Sequence, residues 1–169
     1  MSEEIINRVA QSALITLNLE DHYHPGERIL MDIKDQLFQG IILKEKDFRA
    51  WVRDHDWSQY QDKNLALTCS EDAIIPVWAW MLLVTRLEPY VNMVVLGDLD
   101  TLEKALYTQA IAGINPEEYR DSKVVIKGCS NKPVPEYAYV ELTRVLRPVA
   151  ASIMYGEPCS TVPLYKARK

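Results

Sequence analysis

Apolar residues change their spacing along the chain, and each change marks an element. Ile5, Ile6, Val9, Ala10 and Ala13 recur at helical intervals, after which Leu14-Ile15-Thr16-Leu17-Asn18-Leu19 alternates. The spacing predicts a short helix followed by a half-buried strand. The polar stretch 20–27 closes with Pro25-Gly26, a turn signal. Residues 29–33 read as a strand, 37–40 as one helical turn ended by a glycine cap, and 41–43 as a short apolar strand. Helices are expected over 46–55, 76–87, 102–112 and 135–145, and strands over 65–68, 93–96, 124–126 and 152–155. Helices and strands alternating at this length define an α/β fold: a mainly parallel sheet with helices on both faces and an N-terminal part of mixed character.

The second half of this pattern repeats the first. Tyr60/Tyr119, Asp62/Asp121, Pro76/Pro135, Ala79/Ala138, Trp80/Tyr139, Leu87/Leu146, Pro89/Pro148 and Gly97/Gly156 all lie 59 residues apart. Cys69 and Cys129 lie 60 apart, so one residue is gained before the second cysteine and one lost after it. The expected architecture is therefore one domain over residues 1–169, built on a βαβα duplication of about 41–98 and 99–157. Prolines bracket both repeat helices, because proline fits a first helical turn and cannot continue a helix that it follows. The helix after Pro76 is apolar nearly all round, which calls for cover from the N-terminal segment or from a second copy in a homodimer. Trp51, Trp57, Trp78 and Trp80 read as core residues.

Composition narrows the classes of partner. A chain of 169 residues buries about two-thirds of its unfolded surface, enough for a core without metal or disulfide support. Net charge is −5 and the basic residues form no stripe, which argues against nucleic acid; only Lys166-Ala167-Arg168-Lys169 is locally basic, and it reads as a solvated end. The longest apolar run, 74–84, is shorter than the roughly 20 residues that span a bilayer. The N-terminus is acidic where an export signal is basic, so the expected location is the cytosol. Three cysteines are then expected as free thiols.

Those thiols are the candidate chemistry. In a parallel sheet Cys69 and Cys129 fall at strand carboxyl ends, the edge where open α/β sheets bind ligands, and Cys159 follows a later strand closely. Each is followed by serine, giving Ser70, Ser130 and Ser160 as loop hydrogen-bonding partners. If the cysteines converge, they suit zinc, copper(I), an iron–sulfur cluster or a sulfur atom in transit. No Cys-x-x-Cys pair occurs, and small thiols filling strand tops account for the same residues without a ligand. His22 and His24 are weaker candidate ligands, on the premise that i and i+2 share a side of an extended segment. His55 reads as a solvated helix end, and Asp98, Asp100 and Glu157 as acids just past strand ends. A thiolate nucleophile at Cys69 or Cys129, favoured by a nearby helix N-terminus, is the enzymatic alternative; an interaction module using the apolar helix is a third. No phosphate-cradling glycine motif is present.

The strings ALTCSEDAIIPVWAW, VVIKGCSNKPVPEYAYVEL and YGEPCSTVPLYK, with GIILKEKDFR and HDWSQYQDK, resemble the bacterial family named domain of unknown function 2480 across essentially the whole chain. The family carries no established activity or catalytic residue. Its resemblance implies a context of sulfur mobilisation for iron–sulfur cluster assembly, hence a cytosolic accessory protein with assembly proteins as partners.

Overall fold

The computed structural model describes residues 14–128, 131–157 and 159–168. The helix expected over 5–13 lies outside them. The chain divides into two compact units, His24–Leu106 and a second made of Met1–Tyr23 with Tyr107–Lys169. Each has its own sheet.

In the first unit, β2 (Arg28–Asp32), β3 (Asn64–Thr68) and β4 (Met93–Leu96) form a parallel sheet in that order. Residues of the central strand alternate between two faces. Leu65 and Leu67 pack with Phe48 and Val52 of α1 (Glu45–Asp54) and with Ala79, Leu83 and Leu87 of α2 (Val77–Leu87). Ala66 faces the other way, against Leu102 and Leu106 in the first half of α3 (Leu99–Ala112). Helices thus cover both faces, as a parallel sheet requires.

The second unit holds β1 (Leu14–Leu17), β5 (Lys123–Ile126), β6 (Ser152–Glu157) and β7 (Ser160–Lys166), in the order β1-β5-β6-β7. The first three are parallel, and β7 returns antiparallel to β6. Val124 and Ile126 pack with Tyr107 and Ile111 from the end of α3 and with Ala138, Leu142 and Leu146 of α4 (Glu136–Leu146). The 59-residue offset recurs residue by residue in these cores: Phe48 and Tyr107, Val52 and Ile111, Leu83 and Leu142 hold matching places. The second half of α3 does in its unit what α1 does in the other. Asp62 and Asp121 share a positive φ, and their amides donate to Tyr90 and Val149 carbonyls at 2.9 and 3.0 Å, again 59 residues apart.

The α/β class and the mainly parallel pairing stand as expected, while four finer expectations change. The single sheet is two, because β1 pairs with β5 and not with its neighbour in sequence. Residues 37–40 are not helical: Gln39 and Gly40 both have positive φ, and the Ile41 amide donates to the Phe38 carbonyl at 3.2 Å, a tight turn of the type that joins strands. Ile41–Leu43 forms no strand; Ile42 makes only an isolated bridge to Phe38. Finally, the described residues do not cover α2 all round. Ala79, Leu83 and Leu87 are buried, while Val77, Met81 and Val84 are exposed.

Leu83 and Leu142 are fully buried at matching positions. Truncating either to alanine is expected to cost about 2–5 kcal/mol, read from urea unfolding. A loss below about 1 kcal/mol in either variant contradicts the packing of that unit's core.

Candidate functional site

The strands of the His24–Leu106 unit end together at Asp32, Thr68 and Leu96, so their carboxyl ends form one edge. Cys69 follows β3 directly and begins the loop that leads to α2. Asp32 pins that loop: its Oδ1 accepts from the amides of Lys34 at 3.0 Å and Ser70 at 3.1 Å. Partial desolvation pushes the Asp32 carboxyl up, but the Ser70 side chain, the two amides and the Lys34 charge outweigh it and hold the group below the usual carboxylate range. The Ser70 amide thereby ties the loop to the end of β2. The half-buried Cys69 thiol donates to the Glu71 carbonyl at 3.7 Å.

Behind this loop lies a crevice of about 310 Å³ lined by Leu67, Thr68, Cys69, Ala73, Ile75, Trp80, Leu96 and Gly97. Trp80, expected as core, is one of its walls and also packs on the core beneath. Gly97 is required on the rim: its φ is +146°, and a Cβ there would sit 2.7 Å from Thr101 Oγ1. Asp98 caps α3, its Oδ1 accepting from the Thr101 amide at 2.8 Å and hydroxyl at 2.7 Å, and these bonds lower its pKa. That is a structural use for an acid flagged as a candidate catalyst; Asp100 lies in the first turn of the same helix. Among the described residues, no histidine or carboxylate lines the crevice.

The matching edge of the other unit is built differently. Trp80 and Leu96 correspond to Tyr139 and Tyr155, whose rings meet edge to face with centroids 5.8 Å apart. Tyr155 also lies over Gly128, where an added Cβ would come within 2.9 Å of the ring. Gly128 falls where the second repeat gains its extra residue. Cys129 and Ser130 lie outside the described residues. Cys159 is exposed in the turn between β6 and β7, and Ser160 opens β7 opposite Glu157. Glu157 Oε1 is shielded from solvent with no hydrogen-bond partner among the described residues.

Cys69 and Cys159 thus belong to different units. Among the described residues no group of three or more histidine, cysteine, aspartate or glutamate side chains is arranged to hold a metal ion. His22 does not lie on an extended segment with His24, because it closes a 3-10 turn over Leu19–His22. His24 Nδ1 accepts from the Gly26 amide at 3.1 Å and lies 3.1 Å from the buried Asn64 carboxamide nitrogen. His55 is no bare helix end. Its ring sits among Trp51, Trp57 and Tyr60, with Nε2 2.9 Å from the Tyr60 hydroxyl.

These features define an α/β protein with mainly parallel sheets and a thiol at the mouth of an edge crevice. The family model described as "Protein of unknown function (DUF2480)" matches residues 3–167, and the chain belongs to that family. Comparison with curated proteins returns no match, and neither does comparison with solved structures. Among the described residues no helix is long and apolar enough to cross a membrane.

Asp32 supplies a pH test of the loop. A carboxylate whose folded pKa is lowered adds stability above its unfolded value of about 3.9, and that contribution is lost as pH falls through the folded pKa. Asp32→Asn is therefore expected to be less stable than wild type at neutral pH, with the gap in urea midpoint closing towards about pH 3. A gap that stays constant across that range contradicts the assignment.

Proposed function

We propose that the chain is an accessory protein that carries sulfur on Cys69, within the crevice at the carboxyl edge of β2-β3-β4. The observation that carries this reading is a half-buried thiol opening onto about 310 Å³ of space where the other unit places the Tyr155 ring beside Tyr139. Relay of one sulfur atom needs a single thiol and room beside it. A structural zinc or an iron–sulfur cluster takes about four ligands, a demand that one lining cysteine does not meet. Leu67, Ile75 and Trp80 give the crevice apolar walls beside the thiol. A sulfur-mobilising context for iron–sulfur assembly in a reducing compartment fits this use.

The test is uptake of sulfane sulfur. The Cys69 thiolate attacks the terminal sulfur of an inorganic polysulfide, an S–S bond forms on the protein, and the shortened polysulfide leaves. Intact mass is expected to rise by one sulfur at Cys69 ahead of the exposed Cys159, and cyanide removes it. Cys69→Ser abolishes that adduct, and Leu96→Tyr, which fills the crevice as Tyr155 does, slows it. Equal uptake at both cysteines, or uptake indifferent to Leu96→Tyr, overturns the reading.

A second reading has its own observation. Ile74, Val77 and Met81 form an exposed apolar stripe on α2 and its approach, 92 %, 72 % and 63 % accessible, whereas α4 carries Glu136 at the place of Val77. Such a stripe fits a second copy of this chain. Wild type is then expected to sediment as a dimer and Met81→Glu as a monomer; a concentrated wild-type monomer removes the reading.

A further inference from the structure

The basic tail does more than end the chain. Lys166 closes β7 and pairs with Ser152, the first residue of β6, so it lies at the amino edge of the sheet, away from Cys159. The Ala167 amide donates to the Ala151 carbonyl at 2.8 Å, which holds the segment after the strand. Arg147, the C-cap of α4, lays its guanidinium 4.2 Å over the Tyr165 ring. Arg147, Tyr165, Lys166 and Arg168 line a cavity of about 590 Å³. That volume lies within the range of about 300–1,000 Å³ typical of small-molecule sites.

Among the described residues that line it, three of four are cations and none is acidic. Six of the other basic side chains, Arg28, Arg49, Arg53, Lys63, Arg120 and Arg144, each have a carboxylate partner. Arg147, Lys166 and Arg168 make no ion pair among the described residues. The negative end of α4 contributes about half an elementary charge against them, too little to cancel three. The Arg147 guanidinium sits over an aromatic face, and its fork is of the kind that binds phosphate oxygens in pairs.

We infer that this cavity is a binding site for a small phosphorylated molecule carrying two or more phosphate groups, held by Arg147, Lys166 and Arg168 beside Tyr165. The size of the cavity and the number of cations exceed what a single phosphate fills. A long polyanion is disfavoured because the chain as a whole carries −5 and has no basic stripe beyond this cluster.

Calorimetric titration of the full chain with inorganic pyrophosphate tests the inference. Saturable binding at one site is expected, weakening as salt rises. Lys166→Ala and Arg168→Ala are each expected to weaken it by about tenfold, as removal of a charge-assisted hydrogen bond does. Arg147→Lys should also weaken it, because the charge remains but the stacked fork is lost. Arg144→Ala, which removes a cation already paired with Glu141, should leave it unchanged. Matching far-UV dichroism melts for the variants exclude unfolding as the cause. Absence of saturable binding at low salt, indifference to the three substitutions, citrate binding as tightly as pyrophosphate, or a single-stranded oligonucleotide binding more tightly would each overturn the inference.

Discussion

A parallel strand cannot leave either face to water, and this need for cover on both sides organises the molecule. In the His24–Leu106 unit α1 and α2 cover one face of β3, so the face carrying Ala66 needs a third helix. The first half of α3 supplies it. The second half of the same helix presents Tyr107 and Ile111 to the other unit's core, where they stand in for Phe48 and Val52. One helix of 14 residues thus serves two cores, and the division between the units falls inside it. A break in α3 would expose a sheet face in one unit and remove an α1 equivalent from the other.

Most of this was legible in the chain because the elements are locally marked. Prolines open α2 and α4, and alternating or continuous apolar runs mark β3, β4, β5 and β6. Three features escaped for physical reasons. Strand order is a long-range property: nothing near Leu14 announces that it pairs with Lys123. The turn at Gln39-Gly40 was misread because a lone glycine after apolar residues suits a helix cap equally well, whereas consecutive positive φ values are a tertiary outcome. Strand β7 was missed because Pro163 interrupts its apolar alternation and the basic residues beside it look like a solvated end. Proline is tolerated there because β7 borders the sheet.

The candidate site shows the same division. That Cys69 stands at the carboxyl end of a strand followed from the pattern alone. Whether space lies behind it did not, since the crevice depends on Leu96 standing where the other unit has Tyr155. The sequence suggested three equivalent cysteines. In the structure Cys69 lines a crevice and Cys159 occupies a hairpin turn, so the shared Cys-Ser dipeptide does not mark a common place in the fold. In the sequence the basic residues 166–169 read as a solvated end, and only the arrangement of Lys166 and Arg168 with Arg147 and Tyr165 distinguishes them from one.

The extra residue ahead of Cys129 has a steric consequence. Gly128 falls at that insertion, and its missing side chain is what admits the Tyr155 ring. One position without a Cβ therefore lets an aromatic ring take the room that the first repeat leaves open beside Leu96, so the two edges differ in what they can hold while Leu83 and Leu142 keep matching places in the cores beneath.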